Sequence, residues 1–188
     1  MARPLSEEKR VAILNAAVAA VAELGVAAPT AKIARDAGVG DGTLFVYFAN
    51  KEVLFNQLYL HIKCDLRAAL QPVANGDVET QLHQFWDRYI NWGITFPNQY
   101  KATRALNAWD KLTEQTRQQA WALFPEFDAL VKAGFQQRLL RVQPKSFLGE
   151  LIDAIANMVL ELSRQTPQQS MQFSQLGWEN FWRAIRAE

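Results

Sequence analysis

The residues best placed to do chemistry lie between Thr30 and Lys51, and the chemistry is recognition rather than bond-making. Two very short helices, a glycine turn and the capped start of a third helix fit into that stretch. This is the economy of a helix-turn-helix, which sets its second helix in the DNA major groove. On that second helix Leu44, Phe45 and Phe48 form an inward stripe, which leaves Thr43, Val46 and Tyr47 on the side where a groove would lie. Asp41, at its start, carries a carboxylate that can accept from cytosine N4 but is repelled by phosphate.

Bond-making chemistry has little to draw on. His61 and His83 are the only histidines, on separate predicted helices, and neither has a partner at metal-ligand spacing. His61 and Asp65 stand one turn apart, the usual pattern of a surface contact. Cys64 is the sole cysteine, so no intrachain disulfide forms, and only Lys63 and Arg67 lie near enough to activate its thiol. There is no glycine-rich phosphate loop and no paired-carboxylate motif. The expectation is a protein without metal, cofactor or catalytic residues.

The elements that position the stretch can be read locally. Ser6 starts the first helix, with Glu7 and Glu8 where the helix dipole favours acids. Leu14, Ala17, Val18, Val21 and Leu24 make its buried stripe, and Gly25 ends it. Thr30 caps the second helix, Gly38 supplies the left-handed residue that closes it, and Val39 plugs the corner. Gly40 or Asp41 caps the third helix, and Asn50 caps a long fourth helix from Lys51 to about Gln71, stopped by Pro72 and Asn75-Gly76. That helix is a single rod of about 30 Å, so no flexible linker separates the reading unit from the rest of the chain. Beyond it come helices over roughly 78–96, 99–110, a stretch from Thr113 to Leu140 divided or kinked at Pro125, 144–164, and a last segment from Thr166. No strand-like alternation of useful length appears.

The ordering resembles the DNA-binding domain of the TetR family of bacterial transcriptional regulators. The residues that carry the resemblance are Ile13-Leu14, Ala16-Ala17 and Glu23-Leu24-Gly25, then Ile33-Ala34, Ala37-Gly38-Val39, Gly42-Thr43-Leu44-Phe45, Tyr47-Phe48, Lys51-Glu52 and Leu54. It covers about residues 9–58. Two positions depart from the pattern: Phe45 stands where a tyrosine is usual, and Gly40 where a small hydroxyl residue is common. The resemblance implies an all-α fold, with a helix-turn-helix domain over 1–50 joined by a long helix to an effector-binding and dimerisation domain over 51–188. It implies phosphate contacts from Thr30, Thr43, Tyr47 and Lys51, close backbone approach at Gly40, and base edges read by Asp41, Gly42 and Thr43.

Two further constellations fit that frame. Aromatic residues crowd the middle of the chain, and periodicity alone is satisfied by an ordinary aromatic core. Read through the resemblance, Trp86, Tyr89, Gly93, Trp109, Trp121, Phe124 and Phe127 line an effector pocket, with His83, Tyr100, Asn107 and Asp110 its few polar groups. A planar or greasy neutral molecule suits that inventory. Towards the end, Leu148, Leu151, Ile152, Ile155, Val159 and Leu162 form one stripe, widened by Phe147, Ala154 and Met158. Trp178, Phe181, Trp182 and Ile185 form another. A seam with a second copy accounts for both, through Leu151, Ile155, Val159, Trp178, Phe181 and Trp182.

Composition sets the outer bounds. The chain of 188 residues is 49% hydrophobic with a net charge of +1. Residues 1–51 hold six basic residues (Arg3, Lys9, Arg10, Lys32, Arg35, Lys51) against five acids (Glu7, Glu8, Glu23, Asp36, Asp41). DNA binding therefore cannot rest on a broad basic patch and needs a dimer that doubles the phosphate contacts. The start lacks an apolar signal core and no run approaches the ~18 apolar residues of a membrane span, so a cytoplasmic location and no membrane partner are expected. The sequence thus points to a homodimeric repressor that binds double-stranded operator DNA and is released by a small hydrophobic effector. The competing reading is a helical small-molecule binding protein or enzyme whose first three helices only support or dock. It leaves the Gly-Asp-Gly-Thr start of the third helix unexplained.

Overall fold

A computed structural model describes residues 6–71 and 76–187. These form ten α-helices and no strand, with one isolated antiparallel bridge between Leu140 and Arg186. The Ser6 side chain accepts from the Lys9 N–H and starts α1 (Glu7–Leu24), which Gly25 ends at φ +63°. Pro29 precedes α2 (Thr30–Asp36), so Thr30 is the first helical residue rather than the cap, and its hydroxyl makes no capping bond. Gly38 turns the chain at φ +68°, a conformation side chains resist. It leads into α3 (Asp41–Tyr47), with Gly40 at its N-cap. The Asn50 side chain accepts from the Val53 N–H at 2.9 Å and starts α4 (Lys51–Leu70). The expected stop at Pro72 and Asn75 lies outside the described residues, as does Arg3.

The remaining helices are α5 (Val78–Thr95), α6 (Pro97–Asn107), α7 (Glu114–Ala122), α8 (Pro125–Gln136), α9 (Lys145–Gln165) and α10 (Ser170–Ile185). Proline opens α6 and α8, where its missing N–H costs nothing. Phe96, expected as the last residue of the helix over 78–96, is therefore the cap of α6 and exposed.

The chain divides into two compact units, and the division does not fall at residue 50. One unit runs to Asp65 and takes in Phe96–Leu123; the other comprises Leu66–Thr95 and Phe124 onward. In the first, α1 packs along α6, and α2 against both α1 and α3. Ala17 and Ala20 of α1 and Ala102 of α6 are buried, small residues that let helices close. Leu24 is exposed, and Ile13 and Ala20 take its place in the core.

By length and composition alone Glu7–Ala27 could cross a membrane, with a mean hydropathy of 1.6, contrary to the expectation that no segment would. Its apolar side is spent inside the unit, where Ile13, Leu14, Ala17, Val18, Ala20 and Val21 are buried.

In the second unit α9 packs along α10, and both pack on α5. Gly177 of α10 sits where an added Cβ would fall 2.5 Å from Val159 Cγ2 and 2.6 Å from Trp86 Cζ2. Side chains of α9 and α5 reach the α10 backbone there, in space that a Cβ would otherwise occupy.

Candidate DNA-binding surface and effector region

The reading head takes its shape from Leu44 and Phe48. Both are buried: Leu44 is the buried residue of the seven-residue helix, and Phe48 stands at its extended C-cap. Phe45, expected in that stripe, is instead 44% exposed, and Val46 is 64% exposed. Asp41 and Gly42 are exposed and Thr43 is half-buried. Gly40 has an ordinary extended backbone, φ −72° and ψ 152°. A Cβ at Gly40 would meet nothing nearer than Thr43 Oγ1 at 4.0 Å, and one at Gly42 nothing within 4 Å. Neither backbone strain nor internal packing accounts for these two glycines, and only Gly40 has a local role, as the N-cap of α3.

Two groups flank this face at the end of α3. The Tyr47 hydroxyl oxygen accepts from the backbone N–H of Ser6 at 3.0 Å, which ties the start of α1 to the end of α3 and leaves its O–H to donate elsewhere. The Lys51 ammonium lies 5.2 Å from the Phe55 ring centroid, with no carboxylate partner among the described residues. Partial burial pushes it below the ordinary lysine value.

The other nearby cations are spent locally. Lys32 bonds Asp36 at 2.7 Å, which raises its pKa and holds the Asp36 carboxyl low, and lies 3.7 Å from Glu23. Arg35 lies 3.6 Å from Asp36, and Arg10 bonds Glu7 and Gln57.

Behind the head lies a polar knot that no sequence pattern announces. The Asn56 side chain donates to the carbonyls of Glu52 and Lys111 and accepts from the Thr113 N–H and the Thr116 hydroxyl. Lys111 pairs with Glu52, and Trp109 meets Phe55 edge-on at 5.5 Å. The connection between α6 and α7 is thereby fixed to the first turns of α4. An asparagine one turn into a helix reads as an ordinary surface residue, so sequence reasoning missed it.

The seven aromatic-region residues fall in both units, Trp109 and Trp121 in the first and the other five in the second. Trp86 is fully buried, donates from Nε1 to the Ser174 carbonyl at 3.1 Å and stacks on Phe181. Tyr89 is buried, donates to Asp153 at 2.6 Å and stacks on Trp92. Gly93 is filled by Leu160, whose Cδ1 would lie 2.4 Å from an added Cβ. Phe127 packs on Phe85 at 4.6 Å, Phe124 caps α8, and Trp121 is 41% exposed. His83 stacks on Trp178 at 4.4 Å, Tyr100 is buried in the first unit, and Asp110 is exposed. A cavity of about 600 Å³ opens beside the start of α5, walled by Gly76, Asp77, Gln81, Glu126, Leu130 and Gln137 among others; none of the seven borders it.

Of the six expected seam residues, Val159, Trp178 and Phe181 are buried inside the second unit, and Leu151, Ile155 and Trp182 are half-buried. Trp178 lies between the His83 and Trp182 rings. The exposed apolar side of α9 is a neighbouring stripe: Phe147, Ala154, Met158 and Leu162, with Leu151 along it. Leu176 of α10 is also exposed.

A short helix presented outward beyond a glycine turn, among described residues whose regular elements are all helices, is the arrangement of a helix-turn-helix. Residues 13–58 match the family described as bacterial regulatory proteins, tetR family. A crystal structure from Shewanella sp. PV-4, assigned to the tetR family of transcription regulators, is similar with a TM-score of 0.86 and 25% identity, over 96% of this chain and 99% of that one. A TetR-family transcription regulator from Marinobacter aquaeolei VT8 gives 0.79 and 21%, over 97% of each chain. The transcriptional regulator FadR from Bacillus subtilis, in complex with stearoyl-CoA, gives 0.69 and 19%, over 92% of this chain and 97% of that one. Residues 13–58 thus resemble the DNA-binding region of the tetR family, and the chain as a whole is similar in fold to a transcription regulator assigned to that family.

Proposed function

We propose that this protein is a cytoplasmic, homodimeric repressor that leaves its operator when a small hydrophobic effector binds. The observation that carries the DNA-binding reading is the pair Gly40 and Gly42 at the exposed start of α3, bare backbone that nothing inside the chain requires. Gly40 is a suitable N-cap, but a glycine inside a helix, as at position 42, costs about 1 kcal/mol relative to alanine, and close approach to DNA is the return on that cost. Around it Thr30, Thr43, Tyr47 and Lys51 hold phosphates, and Asp41, Gly42 and Thr43 face base edges. The free hydroxyl of Thr30, the donor left on Tyr47 and the unneutralised Lys51 support this assignment.

Two copies meet through α9 and α10. Since Val159, Trp178 and Phe181 are occupied within the chain, they hold the two helices together, and the contact face is the stripe of Phe147, Leu151, Ala154, Met158 and Leu162 with Leu176. The effector contacts within the second unit are Trp86, Tyr89, Gly93, Phe124 and Phe127. Because Trp86, Tyr89 and Phe127 are packed, binding must part these rings. The stearoyl-CoA complex of the FadR relative supports an apolar effector. The effector then shifts the population away from DNA-competent head spacings, and linkage makes operator DNA weaken effector binding by the same factor.

The test starts from duplexes selected by the protein out of a randomised library, with binding followed by fluorescence anisotropy. Lys51→Ala should weaken all duplexes alike and reduce the salt dependence by about one charge per subunit. Loss confined to one sequence would contradict the phosphate assignment, and failure to enrich any duplex would refute the function. Planar or acyl compounds should quench tryptophan emission saturably and release DNA in parallel.

A further inference from the structure

Resting on the DNA-binding reading above, we infer that α3 sorts duplexes by the C5-methyl groups of thymine, with Phe45 and Val46 as the specificity-determining residues. From Asp41 to Tyr47 the helix contains no Arg, Lys, Asn or Gln. Bidentate recognition of guanine needs Arg or Lys and that of adenine needs Asn or Gln, so α3 makes neither contact.

What it offers instead is apolar. Gly42, Phe45 and Val46 stand at i, i+3 and i+4, one face of a helix, and all three are exposed while Leu44 fills the inward side. The thymine methyl is the one apolar group a base pair shows in the major groove, and phenylalanine and small branched side chains are its partners. The absent side chain at Gly42 lets this face sink until Phe45 and Val46 reach base edges rather than stopping at the groove rim. Lone exposed apolar residues are common on any surface. Two adjacent ones on the groove-facing side of a reading helix, with no long polar reader beside them, are recognition elements.

The experiment uses the full chain and the duplex it selects from a randomised library. Every thymine in that duplex is replaced by uracil, which removes the methyl and keeps the base pairing. Binding to the uracil duplex should be weaker by about fourfold for each methyl that α3 covers. Val46→Ala and Phe45→Ala should each bind the selected duplex less tightly and lose part of the thymine-over-uracil preference, while Val46→Thr, which keeps a methyl, should retain it. Circular dichroism should show all three folded, since neither side chain is buried.

Equal binding of thymine and uracil duplexes by the wild type would overturn the inference and leave DNA binding standing. So would full discrimination in the doubly substituted F45A/V46A protein. If no duplex is enriched, the DNA-binding reading fails and this inference with it.

Discussion

Gly42→Ala separates what the chain needs for itself from what it needs for DNA. Residue 42 lies in the first turn of α3, and a Cβ there meets no heavy atom within 4 Å. The substitution therefore adds no clash and removes the backbone entropy that glycine loses on folding, a gain of about 0.5–1 kcal/mol. For a chain of this size that raises the thermal midpoint by about 1–4 °C. Against DNA the same methyl has to fit where α3 and the duplex come closest. Overpacking a close contact costs about 1–3 kcal/mol, at least about fivefold in affinity for each head engaged. Thermal melts by circular dichroism and anisotropy titrations on the selected duplex read the two effects separately. Stability should rise while affinity falls. Unchanged affinity would refute the close approach of DNA at residue 42, and lower stability would show that the methyl meets something inside the chain.

Met158→Asp places a charge on the exposed stripe of α9; light scattering should show monomers of unchanged helicity, because the side chain is half exposed and the cost of several kcal/mol falls on the seam alone. A dimer of undiminished stability would move the interface elsewhere. Gly177→Ala forces a Cβ onto Val159 and the rigid Trp86 ring and should destabilise by about 1–3 kcal/mol in urea unfolding; an unaltered midpoint would mean the helices part freely there. The bidentate bonds from Arg67, at 2.8 and 2.9 Å, hold the Glu126 carboxyl down to about 2 from 4.5. A carboxyl lowered on folding adds stability that is complete above 4.5 and lost as pH falls towards 2. Glu126→Gln should flatten the fall in stability across that window, and an identical pH profile would show that the pair contributes nothing.

Local chemistry makes the reading head legible. Ser6, Gly25, Gly38, Asn50, Thr113 and Pro125 each mark a boundary by a property of one residue, and each boundary stands where expected. Apolar spacing is a weaker guide where helices are short: Leu44, with Phe48 at the C-cap, satisfies the inward side of α3, so Phe45 lies outside it. On α5 the aromatic crowding points to buried rings but not to what fills the space behind them. Gly93 is filled by Leu160, and Trp86 is met by Gly177 and Phe181, partners set by long-range packing. The same limit hides which side of α9 is outward, since apolar residues lie on both. Contacts with DNA, effector and a partner copy are assigned by role, because burial within one chain does not distinguish them.

The unit that carries the head is made from two separate pieces of chain, one ending at Asp65 and the other running from Phe96 to Leu123. A ribosome delivers these pieces in order, at about 5–20 residues per second, with a segment of the other unit between them. The face of α1 that α6 covers must wait unpaired for several seconds, and the loop that bolts onto Asn56 arrives later still. A fragment cut after α4 would be a permanent version of that unfinished nascent chain, with an alanine-rich apolar helix uncovered. The head is therefore completed only after a segment of the other unit has been made, although its own helices emerge before that segment.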